Sequence, residues 1–528
     1  MAATGDLSEA EEWFGYLWPP GQMEHLATPG HVSYRPEDGL KVRLIGAFSV
    51  YDLRAIHGTF ERVPITLVDC IATSTHKQGL IQPVPVRQDI EPQLLLYGIN
   101  LNDPAEPCFK ALDIEIENLS RWSADQDMTL KLEFDDRLAP SDQDDESTGG
   151  RIRRTLKRVF RRRPPQVSQP VQTVPTGYAS WGVEGKPTDE RRAQMDDMTA
   201  ELRRSRTLPN WDEHRDRTVG RIAARSVLHF SSTRSRTAEQ WEEVARMAQD
   251  LLSLATFSPC ALLRETLIPD DAKVASDNTA RSDVHLYAKQ LVRGAPNEPA
   301  MEPWAMLFNL SDIDFGVLLP QWSKVRDMLR PTCNMVLGLK YIPEGYLETK
   351  LLTATGAAEV MEGSLAHGLD RPLPVPKVKY KVLRKELLCL APAEYRDWLD
   401  KKLYNTPSLH DKLKLLAGQL DKQITDKLLP NVELWAQRTT TARNDLTHRG
   451  ESKSVPAMEM SAIVNVTVAV IVISLLTQLG IPTARIVQAL EQHPDLRHAP
   501  DLARRYWPAK NPDNGATASH PSQASPSP

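Results

Sequence analysis

At 528 residues the chain exceeds what one hydrophobic core usually organises, and about two to four domains are expected. A formal net charge of −5 excludes a protein that binds polyanions through its overall charge, so any contact with nucleic acid needs a local patch. The five cysteines (Cys70, Cys108, Cys260, Cys333 and Cys389) are scattered and form no C-x-x-C pair, which argues against a zinc site and a disulfide framework and fits a reducing, cytoplasmic location.

The first residues are acidic and lack an apolar stretch, so they do not read as a signal peptide, and 1–9 are expected to be disordered. From about 10 to 135 short apolar runs predict strands: Leu40–Ile45, Val63–Val68, Leu94–Tyr97, Leu112–Asn118 and Met128–Phe134. Several alternate in and out, as strands of a half-solvated antiparallel sheet do. Pro29-Gly30 and Glu37-Asp38-Gly39 read as turns between them.

Over 137–180 the texture changes to that of a flexible insertion. An acidic run, Ser141–Ser147, precedes Arg151–Arg163, in which eight of thirteen residues are basic: Arg151, Arg153, Arg154, Lys157, Arg158, Arg161, Arg162 and Arg163. Ile152, Leu156, Val159 and Phe160 are at helical spacing, so the segment reads either as a basic amphipathic helix that binds RNA or an anionic membrane, or as a solvated linker balanced by the acidic run.

Order resumes near Gly177. Gly220–Phe230 reads as a strand, and Thr237 as the N-cap of a helix with Trp241, Val244, Ala245, Met247, Ala248, Leu251 and Leu252 on its apolar side. After about residue 300 the pattern is helical, over 319–329, 346–369, 391–403, 408–416, 421–428, 432–448 and 457–479, and 506–528 reads as a disordered tail. The run Met460–Ile481 carries no charge and is long enough to span a bilayer. Its Asn465, Thr467, Ser474, Thr477 and Gln478, and the lack of flanking Trp or Tyr, favour a buried helix in a bundle or dimer, with no stable membrane association. Alternating valines from Val464 to Val472 leave strand open by periodicity alone.

The chemistry centres on Thr441–Gly450. Of thirteen histidines, only His448 follows an arginine, Arg443, at four to six intervening residues. An imidazole exchanges protons near neutral pH. A guanidinium holds phosphate through a planar, permanently charged fork. Asn444 can orient either group. The competing reading is an Arg and a His satisfying the last carbonyls of a helix. On an ideal helix five residues rotate about 140°, so Arg443 and His448 share a face only if the helix ends or loosens between them, whereas Asn444 and His448 do share one. Gly450 is suited to a C-terminal cap.

Several stretches together resemble a known family. Trp13–Gly21, Thr28–Tyr34, Glu37–Leu40 and Leu44–Phe48 resemble the N-terminal domain of the ApeA anti-phage proteins. Tyr346–Glu362 resembles the first helix of the HEPN domain that follows in those proteins, and Thr441–Gly450 its R-N-x-x-x-H motif. The resemblance implies an α+β, multidomain chain: a β-rich sensor or regulatory domain with some helix over 10–297, and an all-α HEPN bundle over 298–505. It implies a homodimer or higher homo-oligomer whose paired motifs form a composite ribonuclease site, acting in abortive infection on host RNA after a phage-derived trigger. Arg443, Asn444 and His448 fit the motif position by position. Glu359 falls where the family's first helix carries a glutamate, with Glu362 one turn away on the same face.

The residues support transesterification without metal or cofactor. A base takes the proton of an RNA 2′-OH, whose oxygen attacks the adjacent phosphate, and an acid protonates the leaving 5′-oxygen. His448 can fill either role, and a dimer supplies one histidine for each. Arg443 would stabilise the phosphorane oxygens. The 2′-OH requirement points to RNA, with a transfer RNA loop as the candidate substrate. The alternative is a non-catalytic RNA-binding adaptor that uses 151–163.

Overall fold

A computed structural model describes residues 4–21, 27–49, 52–76, 86–123, 128–134, 179–185, 191–206, 210–213, 215, 218–221, 224–270, 283–295, 298–366 and 373–509. The basic segment 151–163, with all eight candidate RNA-binding residues, lies outside them. The strands before residue 300 and the helices after it give an α+β chain, β-rich first and all-helical second.

Six strands close into an antiparallel barrel. Glu11–Trp18 (β1), Thr28–Arg35 (β2), Gly39–Ile45 (β3), Asp52–Phe60 (β4), Val63–His76 (β5) and Arg87–Glu91 (β6) pair in the order β5-β4-β1-β2-β3-β6, and β6 returns to β5. The fourteen residues of β5 make this possible: its second half pairs with β6, while its first half pairs with Leu94–Tyr97 (β7). From β7 the sheet continues through Val284–Ala288 (β17), Leu262–Pro269 (β16), Phe109–Ile116 (β8), Ala224–Arg236 (β15), Met198–Arg206 (β12) and Arg191–Met195 (β11). Asn210–Glu213 (β13) and Thr218–Arg221 (β14) form a separate hairpin. Residues 125–189 are a second compact unit, in which Met128–Phe134 (β9) pairs antiparallel with Ala179–Gly185 (β10).

Pro29 and Gly30, expected in a turn, lie inside β2, opposite Tyr16 and Gly15. Gly30 serves close packing here: a Cβ would stand 2.8 Å from Leu17 Cδ1 and 3.1 Å from Leu44 Cδ2. The turn at Glu37–Gly39 does form, with Gly39 at φ +80°. Residues 4–9, expected to be disordered, are seated instead: Leu7 is buried, its N–H donates to Leu263 O, and the Gly5 N–H donates to the Tyr287 hydroxyl.

After the short helix Leu119–Trp122 (α1), Ala238–Thr256 (α2) packs on β8 and β16. Thr237 caps α2 as expected, in a reciprocal box with Gln240. Trp241 Nε1 donates to Phe109 O at 3.1 Å and anchors the helix to the sheet. On its other side α2 meets Phe315–Met328 (α3) and Arg330–Tyr341 (α4). Trp322 Nε1 donates to Met247 O, Arg326 Nε donates to Asp250 Oδ2 at 2.8 Å, and the Tyr341 hydroxyl donates to Asp250 Oδ1 at 2.7 Å. The strand-to-helix change thus falls near residue 300, while the buried side chains on both sides of it form one continuous cluster.

Leu347–Leu365 (α5) packs along α4 and begins the helical bundle. Lys377–Leu390 (α6) and Ala393–Asp400 (α7) pair as a hairpin with no buried side chain. The bundle continues with Leu409–Gly418 (α8), Lys422–Leu428 (α9), Val432–Arg449 (α10) and Ala457–Gln478 (α11), and closes with Thr483–Gln492 (α12) and Ala499–Tyr506 (α13). The valine-rich run is helix, not strand. Among the described residues α11 alone is long and apolar enough to cross a membrane, and most of it is buried against α5, α10 and α13. Trp507, placed by sequence in the disordered tail, is fully buried, and its Nε1 donates to Glu459 Oε1 at 3.2 Å.

Candidate active site

Helix α10 carries the motif because its apolar residues recur at one-turn intervals. Trp435, Ala436, Thr439, Ala442 and Leu446 are buried, which turns Arg443 to the edge of the bundle and leaves Asn444 and His448 exposed. Asn431 caps the start, accepting from Leu434 N–H at 3.0 Å. At the other end Gly450 adopts φ +74° and its N–H returns to Leu446 O. The helix is continuous from Val432 to Arg449, so it does not end or loosen between Arg443 and His448. The two side chains leave α10 at different angles, and within one chain His448 faces solvent.

Arg443 reaches across the bundle. Its Nη2 stands 3.9 Å from Glu359 Oε2 on α5, and Lys412 Nζ on α8 donates to Glu359 Oε1 at 2.7 Å. Arg443 Nη1 donates to Asn444 Oδ1 at 3.3 Å. Three helices therefore meet at one half-buried carboxylate with two cations on it. Of the two glutamates left open by sequence, Glu359 is the one beside the motif, and Glu362 is buried in the bundle. Each partner is about one-fifth to one-third exposed, so water screens the cluster and its value is positional more than stabilising. It holds the guanidinium at a fixed place beside Asn444 while the imidazole stays free to meet another molecule.

Two residues were not read from the sequence. Lys412 gave no signal, since a lysine beside an apolar helix position is ordinary surface chemistry. Asp445 follows the arginine and asparagine and fastens the segment after the helix: it accepts from Ser452 Oγ at 3.1 Å and from the Ser454 hydroxyl, and Arg449 Nη1 is 3.4 Å away. The Ser454 hydrogen bond is the largest cause that holds the Asp445 carboxyl below the usual range. A second fastening joins α10 to α11, where Arg438 Nε donates to Glu459 Oε1 at 2.7 Å.

Gly450→Ala is expected to cost about 1–2 kcal/mol, because an L-residue is strained in the left-handed region. A Cβ there would meet nothing within 4 Å, so the cost is conformational alone. The midpoint of urea unfolding reads the loss. An unchanged midpoint would show that the last turn, with His448 in it, is not held by this cap.

Two of the buried thiols, Cys260 and Cys333, are poor nucleophiles. Burial pushes Cys260 up to about 11 and Cys333 up to about 12, which keeps both protonated. Among the described residues no group of three or more His, Cys, Asp or Glu side chains is placed to hold a metal ion.

Comparison with known proteins gives two domain matches. Residues 12–151 match the ApeA N-terminal domain 1, a span that holds the whole barrel, β7 and β8. Residues 370–485 match the Apea-like HEPN domain, a span that holds Lys412, Arg443, Asn444 and His448 and begins after α5, so that Glu359 lies before it. No curated protein matches the chain, and neither does any solved structure. The chain carries an ApeA N-terminal domain 1 ahead of an Apea-like HEPN domain.

Proposed function

We propose that the chain is a metal-independent endoribonuclease that cuts RNA by attack of a 2′-OH on the adjacent phosphate, and that it serves as an anti-phage effector acting by abortive infection. The observation that carries this reading is the meeting of Arg443 with Glu359 and Lys412, one turn from an exposed His448 on the same helix within the HEPN match. Arg443 is the phosphate-binding group, oriented by Glu359 and Asn444. His448 is the proton-transfer group.

The single imidazole supports a homodimer. One histidine cannot serve as base and acid at the same instant, and because α10 is continuous His448 does not turn back towards Arg443 of its own chain. A second copy supplies the complementary imidazole to a shared site. RNA is the substrate, with transfer RNA loops as the first candidates, and the protein works in the cytoplasm under the control of a phage-derived trigger.

The test is to incubate the full chain with total RNA in EDTA, with and without lysate of phage-infected cells, and to map the product ends. Ends carrying 2′,3′-cyclic phosphate are expected. Products bearing 3′-hydroxyl ends, or cutting that needs a divalent cation, would refute this chemistry.

A further inference from the structure

Away from the HEPN motif, a cavity of about 1210 Å³ lies between the sheet and helices α2, α3 and α4. Nine carboxyl side chains line it against five basic ones. Three of the five basic groups are already matched: Arg246 by Glu242, Arg326 by Asp250, and Arg330 by Glu243. The wall therefore holds a surplus of acid.

One of these carboxyls is unlike the rest. Glu265, on β16 and only 1% exposed, lines the cavity, and its Oε2 has no hydrogen-bond partner. An unpaired buried carboxyl with no structural duty is costly, because burial without a compensating bond disfavours either of its forms. Alternation does not account for it either. Leu267, two positions on and on the same side of the strand, is a core leucine, and an apolar residue would fit the strand equally well. A buried acid retained beside surplus negative charge is suited to receive a positive group.

We propose that this cavity is a binding site for an organic cation, an alkylammonium or guanidinium group, with Glu265 as its counter-ion. The cation comes either from a free polyamine or from a basic side chain of a partner protein, and the chemistry at Glu265 is the same for both. Burial, with Glu242 adding to it and Arg246 opposing it, pushes Glu265 up to about 8. The carboxyl is thus mostly protonated at pH 7, and seating a cation against it expels the proton. Helix α4 forms part of the cavity wall and packs along α5, the helix of Glu359, so the site lies one helix away from the HEPN motif.

The experiment is calorimetric titration of the full chain at pH 7 with spermidine and, separately, with a hexa-arginine peptide, in two buffers of different ionisation enthalpy. Glu265→Gln and Glu265→Leu are titrated alongside. At least one probe is expected to saturate the wild type with release of close to one proton, and both variants are expected to bind it at least about tenfold more weakly with no proton release. Saturation by spermidine assigns the site to a free amine, and saturation by the peptide alone assigns it to a partner's side chain. Failure of both probes to bind, or equal binding and equal proton release in the variants, would overturn the proposal.

Stability gives an independent reading that does not depend on the probe. A carboxyl with a raised folded-state pKa holds its proton until the pH approaches 8, while the unfolded chain loses it near the ordinary value. The contribution of Glu265 to stability is therefore present at low pH and lost as pH rises towards 8. The melting temperature of the wild type is expected to fall relative to Glu265→Gln between pH 5 and 8, and Glu265→Leu is expected to fold and to melt no lower than the wild type at pH 8. A leucine variant that unfolds would show that the carboxyl has a structural partner and is not held in reserve for a ligand.

Discussion

Replacing His448 with alanine is expected to slow RNA cleavage by about 100- to 10,000-fold, the usual weight of a positioned proton-transfer group. The loss should appear in kcat, with RNA affinity nearly unchanged, because Arg443 remains in place to meet phosphate. His448 is exposed and its ring makes no contact that the bundle needs, so the variant should melt within a degree or two of the parent. That separation makes the test clean: a defect in activity cannot be charged to unfolding. An alanine variant that cuts as fast as the parent would remove His448 from the chemistry. Arg443→Ala provides the contrast. It removes the phosphate fork and strands Glu359 with Lys412 alone, so both affinity and rate should fall, and affinity should weaken further as salt is raised.

Asp250→Ala is expected to cost about 3–5 kcal/mol of folding stability, the largest single loss anticipated in the chain. Its carboxylate accepts from Arg326 and Tyr341 on two different helices, and Asp250 and Arg326 are each less than one-tenth exposed. Removing the acid takes from the buried Arg326 guanidinium the carboxylate that it is hydrogen-bonded to. Burial, with Asp250 beside it, pushes the Tyr341 phenol well above its ordinary value, so its hydroxyl remains a donor and loses its acceptor too. Asp250→Asn should recover part of the loss by keeping an acceptor for Tyr341. Urea unfolding reads both variants. A loss below about 1 kcal/mol in the alanine variant would mean that water replaces the carboxylate and that the pair lies in a wetter place than its burial indicates.

The helices were legible where their ends carry chemistry. Thr237 and Gly450, read as caps, do cap α2 and α10, and the segments predicted to start at 408 and 421 begin at the caps Ser408 and Asp421. Helix α4 was not among the predicted segments, although Pro331 stands in its first turn, where its lacking N–H costs nothing. The barrel was not legible. Each strand shows only its own alternation, whereas closure depends on β5 changing partners midway, a pairing between segments that no local pattern encodes. Pro29-Gly30 misled for a similar reason: the dipeptide usually turns, and here the neighbouring strands demand a residue without a side chain. Arg443, Asn444 and His448 were singled out by spacing and Glu359 by resemblance, while the ion pair of Lys412 with Glu359 emerged only when α8 was folded against α5. The terminus read at Gly450 is where α10 ends, and because it lies after His448 the helix does not loosen between Arg443 and His448.

Helix α12 and the turn after it reach back to the middle of the chain. Arg485 on α12 donates from Nη2 to Met306 O at 2.7 Å, and His493 Nε2 meets Thr256 O, at the end of α2, at 3.1 Å. Helix α11 packs on α10, and Trp507 Nε1 donates to Glu459 in the first turn of α11. A nascent chain that has completed the motif at Gly450 has therefore built only an open bundle, and it lacks the closing helices until nearly sixty further residues are made. A chain that stops at Gly450 leaves uncovered the faces of α5 and α10 on which α11 packs, and exposes apolar surface there.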